Sequence, residues 1–158
     1  MLKEISSVFS FLTIIPSNNT DLGTVARYMH VFPIIGIGIG LLIASIGFGL
    51  SFFLEPLIVA LLVVASIAII TGIHHTDGLA DFADGLMTRG TKEKKRQAMK
   101  DLSTGSAGIV SVVLSIVGVI IALSLTTGYE LFQAILLSEI LAKFSMVLMA
   151  SIGKSAAV

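Results

Sequence analysis

Three closely spaced aspartates are the residues of this chain best suited to chemistry. Asp77, Asp81 and Asp84 stand four and then three residues apart, a spacing that places all three on one face of a helix. Like charges this close repel one another, so a cation is expected to offset them. Mg²⁺, or Mn²⁺ as the alternative, binds one or two carboxylates together with substrate phosphate. The spacing therefore predicts a metal site that holds a phosphorylated substrate.

The alternative is a solvated acidic face that neighbouring lysines and arginines neutralise. The residues between the aspartates are small or apolar, which a solvated face does not explain, and Gly78 and Gly85 directly follow Asp77 and Asp84. A glycine at such a position leaves the backbone exposed and leaves room for a phosphate. We therefore favour the metal–diphosphate interpretation and predict that both glycines adjoin the phosphates.

A histidine precedes the acidic face. His75 stands two residues before Asp77, close enough to act as a proton shuttle or to contact a phosphate. An interfacial histidine without a catalytic role is an equally good interpretation. The sequence leaves these alternatives open.

Basic residues and glycines follow the aspartates. We expect Arg89, soon after Asp84, and Lys100, next to Asp101, to clamp substrate phosphates. Gly105 and Gly108 stand just before the next apolar stretch, where backbone amides at a helix start bind anions. The remaining basic residues are interpreted as topology determinants and contacts to anionic lipid: Lys92, Lys94, Lys95 and Arg96.

The elements that must position these residues are apolar. Of 158 residues, 55% are hydrophobic and 13% are charged, whereas an ordinary soluble domain has about 25% charged residues. The net charge of zero gives no argument for a nucleic-acid partner, and none is expected. Without cysteine, the chain has no disulfide, thiolate metal site or cysteine nucleophile. The composition therefore predicts a polytopic membrane protein.

Four stretches are long and apolar enough, or nearly so, to cross a bilayer, which takes about 20 residues. They cover residues 31–54, 57–73, 109–127 and 131–152. The predicted fold is all-α: one membrane-embedded domain over residues 1–158, a polytopic helical bundle with about four transmembrane helices. Within the last stretch, Glu139 and Lys143 have the spacing of a helical ion pair that faces the bundle interior. The sequence leaves open whether this pair is structural or extends a polar cavity.

A short amphipathic helix is expected before the first span. Its apolar residues recur at helical spacing, and they are Ile5, Val8, Phe9, Leu12 and Ile15. Its polar side carries Glu4, Ser7 and Ser10. This pattern predicts a helix that lies in the membrane interface and contacts lipid.

The orientation follows from the basic residues. Lys3 and Arg27 precede the first span, the basic segment at residues 89–100 follows the second, and Lys154 follows the fourth. The connectors at residues 55–56 and 126–130 contain no lysine or arginine. The positive-inside rule therefore places the acidic site and the basic segment on the cytoplasmic face of the cell membrane.

The run His75-x-Asp77-Gly78-Leu79-Ala80-Asp81-x-x-Asp84-Gly85 resembles the signature of the cobalamin synthase family, the adenosylcobinamide-GDP ribazoletransferases. Three further segments are similar to family motifs, in the family's order. They are Phe11-Leu12-Thr13-x-x-Pro16 (with Ile14 where arginine is common), Phe32-Pro33-x-x-Gly36 and Met99-Lys100-Asp101-x-x-x-Gly105-x-x-Gly108.

The resemblance implies a multi-pass enzyme of cobalamin biosynthesis that joins adenosylcobinamide-GDP to α-ribazole or its 5′-phosphate and releases GMP, with Mg²⁺. On this basis, Asp77, Asp81, Asp84 and Asp101 are assigned to the metal, and Asp84 or His75 is the candidate base. Family members continue past residue 158 with further hydrophobic segments, so the chain is expected to be the N-terminal portion of a longer architecture. A homo-oligomer is left open.

Two other functions are weighed against this one. Asp81-x-x-Asp84-Gly85-x-x-Thr88-Arg89 resembles the first half of the motif of CDP-alcohol phosphotransferases, but the second half is absent, because only Asp101 follows Gly90 as an aspartate in this region. A divalent-cation transporter would use the row of aspartates as its pathway. The row lies beside a long basic segment instead of interrupting the middle of a span, which argues against transport.

Overall fold

The structure, a computed structural model, describes residues 2–16, 21–101 and 103–153. Within these residues it contains helices and no strands, which confirms the predicted all-α class. The helices are α1 (Leu2–Leu12), α2 (Leu22–Arg27), α3 (Phe32–Leu50), α4 (Pro56–Thr71), α5 (His74–Met87), α6 (Lys92–Ala98), α7 (Ser106–Ser124) and α8 (Gly128–Ile152). A 3₁₀ turn, Met29–Val31, leads into α3. Lys154, used in the orientation argument, lies outside the described residues.

The long apolar helices form the expected membrane bundle. Residues Met29–Leu50, α7 and α8 are each long and apolar enough to cross a bilayer. The fourth candidate is α4 joined to α5, which turns away from it by 94°. With 16 residues, α4 is about 24 Å long at 1.5 Å per residue, short of a hydrocarbon core of about 30 Å. The fourth candidate is therefore short, and α4 ends where the chain turns towards the acidic helix.

Local sequence explains the ends of α4. Pro56 occupies its first turn, where the missing N–H costs no hydrogen bond. Gly72, with φ of 69°, ends the helix in the left-handed conformation that glycine adopts easily. Ile73 continues the turn with φ of 62°, which is unusual for a β-branched residue. Span 57–73 of the sequence prediction thus stops at Thr71.

The core lies where α3 packs along α8 and against α4. Glycines of α3 allow the close approach, because Gly36 and Gly40 lie directly against the backbone and side chain of Glu139 on α8. The fully or nearly fully buried side chains include Phe32, Ile39, Ile43, Val59, Val63, Leu131 and Ile135. Helix α7 packs against α4 and α5, so the consecutive helices α7 and α8 contact each other at only a few positions.

The predicted N-terminal helix forms, but it packs more deeply than an interfacial helix requires. Val8 and Leu12 are completely buried in the core, while Ile5 and Phe9 are 36% exposed. The placement of Ser7 on the polar side was wrong. Its side chain is buried, and its hydroxyl donates to the carbonyl of Lys3. After the helix, the N–H of Ile14 donates to the carbonyl of Ile70 over 2.9 Å. This bond ties the N-terminal segment to the end of α4, next to the acidic helix.

Candidate functional site

The acidic site is built on α5. The three aspartates that the spacing predicted to share a face lie on this one continuous helix, with Asp77 exposed and Asp81 and Asp84 half-buried. On another side of α5, Ala80 and Ala83 are buried, where the helix packs against α7. Small residues at that contact bring α5 close to the start of α7. The acidic face of α5 therefore lies at the edge of the contact between the two helices.

Asp84 is held by the first turn of α7. The N–H of Gly105 donates to Oδ2 of Asp84 over 2.7 Å, and the N–H of Gly108 donates to Oδ1 over 2.8 Å. The first N–H groups of a helix have no partner within it, and the helix dipole favours a negative charge there. The predicted anion-binding helix start therefore exists, and the anion bound to it in this structure is the carboxylate of Asp84.

The approach of Asp84 explains both glycines of α7. A methyl group on Gly105 would lie 2.5 Å from Oδ1 of Asp84, and one on Gly108 would lie 2.6 Å from Oδ2. The methyl on Gly108 would also lie 3.0 Å from the carbonyl oxygen of Ala80. Glycine is thus the residue that fits at both positions. The role predicted for Gly105, contact with a substrate phosphate, stays a prediction, and its N–H donates to Asp84 in this structure.

The two glycines of α5 differ in their surroundings. Among the described residues, nothing lies within 4 Å of the space that a side chain on Gly78 would take, so its backbone is open to a ligand. Gly85 is buried, and a methyl group there would collide with the Met99 side chain. This packing of the segment after α6 onto α5 explains Gly85 without any substrate contact.

The basic residues lie around α6. Arg89 and Lys100 are both exposed, and Lys100 lines an open surface cavity together with Glu93, Arg96, Gln97 and Asp101. Lys95, interpreted from the sequence as a lipid contact, donates from Nζ to the carbonyl of Leu86 over 3.2 Å. It therefore helps to join α6 to the end of α5, a contact between residues nine apart that helical spacing does not predict.

The predicted metal ligands do not all meet. Within residues 2–16, 21–101 and 103–153, no group of three or more histidine, aspartate or glutamate side chains is arranged to hold one ion. Asp77 and Asp81 remain neighbours on α5, while Oδ1 of Asp101 accepts hydrogen bonds from the N–H and hydroxyl of Ser103. His75 is exposed in the first turn of α5. The assignments to a metal and to a general base stay predictions.

The ion pair expected in the last span is confirmed. Nζ of Lys143 lies 2.6 Å from Oε2 of Glu139, and both side chains are buried. The backbone of Glu139 packs against Gly36 of α3, so the pair faces the bundle interior. Its surroundings are those of a helix–helix contact.

Comparison with known proteins places these elements in a wider group. Residues 4–158 match the family model described as CobS, Cobalamin-5-phosphate synthase. A protein of Geotalea daltonii named Adenosylcobinamide-GDP ribazoletransferase is 37% identical over 153 residues, covering 93% of this chain and 60% of the relative. Proteins with the same name from Methanocella arvoryzae and Pyrococcus abyssi are 34% and 35% identical, over 99% and 90% of this chain.

The chain spans about 60% of the length of these curated relatives. No solved structure matches it.

Proposed function

We propose that this chain carries the phosphotransfer site of an adenosylcobinamide-GDP ribazoletransferase. The reason is that the chain belongs to the cobalamin-5-phosphate synthase family. A ribose hydroxyl of α-ribazole, or of its 5′-phosphate, attacks the phosphorus attached to cobinamide. The bond to GMP breaks, GMP leaves, and the hydroxyl proton passes to a base. The observation that carries this proposal is the family match over residues 4–158, which includes the whole acidic helix and the start of α7.

We propose Mg²⁺ as the cofactor, with Asp77 and Asp81 as its principal protein ligands. In phosphate-transfer sites Mg²⁺ is bound by one or two carboxylates and completed by substrate phosphates and water. Two carboxylates one helical turn apart on α5 meet this requirement without a third protein ligand. Asp101, between α6 and α7, is a further candidate. When bound, the ion would offset the negative charge of the diphosphate.

The remaining residues of the site would bind the substrate and take its proton. Arg89 and Lys100 are exposed, and their cationic groups are suited to the diphosphate oxygens. Gly78 leaves open space beside the acidic face. His75, exposed in the first turn of α5, is the candidate base, since histidine changes protonation near neutral pH.

The proposed location is the cell membrane, with the acidic site facing the cytoplasm. The support is that most basic residues of the described segments lie next to α5, on α6 and the stretches that flank it. Lysine and arginine mark cytoplasmic segments. Nucleotides are made in the cytoplasm, so a site on this face would have access to a GDP-linked substrate.

The test is GMP release by the purified full chain in lipid nanodiscs, given adenosylcobinamide-GDP, α-ribazole 5′-phosphate and Mg²⁺. We expect release that requires all three, and a fall of about 10²–10³-fold in Asp81→Asn, the effect of removing a group that stabilises transition-state charge. Lys94→Ala, on the exposed side of α6, is the matched control and should keep most of the activity.

Three outcomes would overturn the proposal. Turnover of CDP-alcohol substrates alone would favour the CDP-alcohol phosphotransferases. Passage of Mg²⁺ across the bilayer without nucleotide would favour a transporter. Inactivity of the chain towards both kinds of substrate would show that these residues do not suffice for the reaction.

A further inference from the structure

We propose that Asp84 is a positioning residue, which caps helix α7 from the neighbouring helix α5, and is not a metal ligand. The catalytic consequence of this inference rests on the proposed function. The structural part does not, and it can be tested without substrate.

The first argument is the chemistry of the helix start. Residue 105, the N-cap of α7, is glycine and offers no side-chain oxygen to the first turn. In an ordinary capping box, one side chain accepts from the N–H of the third helical residue and another accepts from the N–H of the N-cap. Gly108 is that third residue, and Asp84 accepts from both N–H groups with its two oxygens. A single carboxylate from another helix thus replaces both acceptors of the box.

The second argument is that α7 determines the orientation of the Asp84 side chain. Both of its oxygens are engaged over 2.7 and 2.8 Å, and Gly105 and Gly108 leave the space that this geometry needs. The backbone of Asp84 is fixed as well, since its carbonyl accepts from the N–H and the hydroxyl of Thr88. Asp77 and Asp81 make no such contact to α7 in the part of the chain that the structure describes.

The third argument concerns what this cap would do for the reaction. Helix α5 carries Asp77 and Asp81, whereas Lys100 and Asp101 lie on the segment that leads into α7. The bonds between Asp84 and the start of α7 fix the aspartates of α5 relative to the segment that carries Lys100 and Asp101. Their loss would therefore lower kcat by misplacing Lys100 and the substrate. Because the two principal metal ligands, Asp77 and Asp81, both lie on α5, the Mg²⁺ concentration for half-maximal rate would change little.

Hydrogen exchange of the full chain in detergent tests the cap directly. In Asp84→Ala we expect the amides of Gly105 and Gly108 to exchange about 5- to 30-fold faster, the equivalent of a lost N-cap. Asp77→Asn, an aspartate on the same helix, is the matched control and should leave these amides unchanged. Asp84→Asn keeps one acceptor oxygen and should expose one amide more than the other, which keeps the test available should Asp84→Ala fail to fold. Unchanged exchange in both Asp84 variants would overturn the proposal.

Gly108→Ala tests the cap without removing any carboxylate, because the added methyl would lie 2.6 Å from Oδ2 of Asp84 and push it away from the start of α7. The Mg²⁺ dependence then separates positioning from ligation. We expect Gly108→Ala and Asp84→Ala to lower the kcat of GMP release alike, with the double variant no worse than either one. The Mg²⁺ concentration for half-maximal rate should stay within about twofold, whereas Asp81→Asn should raise it. A rise of about tenfold or more in Asp84→Ala alone would make Asp84 a ligand and overturn the proposal.

The two tests fail separately. Absence of GMP release by the wild-type chain counts against the proposed function, while the exchange of the two amides still decides the place of Asp84.

Discussion

Among single residues, Glu139 and Lys143 form a buried ion pair inside α8. Glu139 and Lys143 are 5% and 4% exposed, in a helix whose other residues are mostly apolar. An ionised group in such a place is tolerated when a partner of opposite charge is in contact with it. Each of the two charges is therefore tolerated in the bundle only while the other is beside it.

Lys143→Met should destabilise the protein by about 3–5 kcal/mol, because it leaves the Glu139 carboxylate buried without its partner. Replacing both residues, with Glu139→Leu added to Lys143→Met, should recover most of that loss, since an apolar pair of similar volume has no charge to desolvate. Thermal unfolding in detergent measures both variants. A single variant as stable as the wild type would show that the pair does not hold the helix contact together.

Residue patterns within one helix were the part of the site that could be predicted. The shared face of Asp77, Asp81 and Asp84 and the Glu139–Lys143 pair both follow from spacings of three or four residues. The bonds of Asp84 to Gly105 and Gly108 join positions 21 and 24 residues apart, and no local spacing specifies such a contact. The signal in the sequence is the pair of glycines at the start of an apolar helix. Their amides were expected to bind a substrate anion, and in this structure they donate to Asp84.

At the scale of elements, the bundle depends on the packing of α3 along α8. Gly36, Gly40 and Gly47 of α3 all lie against α8, while Gly38 and Gly49 point to positions where the described residues leave open space. Small residues on one side of a membrane helix permit backbone contact and gain van der Waals energy that lipid-facing positions do not. Glycines of the same helix thus have different functions according to the side on which they lie.

Gly36→Ala should destabilise the bundle by about 1–3 kcal/mol, because the added methyl would lie 2.9 Å from the Glu139 carbonyl oxygen and force α3 and α8 apart. Gly38→Ala, two residues along the same helix, should be neutral or stabilise by about 0.5–1 kcal/mol, since alanine is the better helix former. Thermal unfolding of the two variants side by side is the measurement. Equal effects at both positions would contradict the packing of α3 on α8.

The break between α4 and α5 shows why element ends were harder to predict than elements. The apolar run continues through Ile73, so hydropathy alone extended the second span to that residue. Gly72 is a typical helix-ending residue, but a positive φ is unusual for the β-branched Ile73, and the local sequence does not predict it. The resulting turn of 94° sets the acidic helix across the end of the bundle.

At the scale of the whole molecule, the exposed surface follows the needs of a bilayer. The outer sides of α7 and α8 are lined by exposed apolar residues such as Val113, Leu114, Leu141 and Phe144. Most of the exposed lysines and arginines lie on α6 and the stretches that flank it, at residues 89–100. Such a division of apolar and charged surface is stable where a hydrocarbon layer ends.

Since the chain contains no cysteine, single cysteines can test the orientation of the whole bundle. Lys94→Cys, on the basic helix α6, should react with a membrane-impermeant maleimide in inverted vesicles and not in intact cells. Glu55→Cys, in the connector between α3 and α4, should show the opposite pattern. Both side chains are exposed, so access to the reagent depends on the side of the membrane.

The orientation experiment also decides whether the short helix α4 crosses the bilayer. If α4 crosses, an odd number of spans separates Glu55 from Lys94, and the two positions label from opposite sides. If α4 and α5 form a loop that returns to its own side, both positions label from the same side, and the acidic face of α5 would lie with the connector instead of with α1. That result would contradict the proposed cytoplasmic site, because α5 would then lie on the side of the connector. The bond from Ile14 to Ile70 favours crossing instead, since it ties the end of α4 to the N-terminal segment.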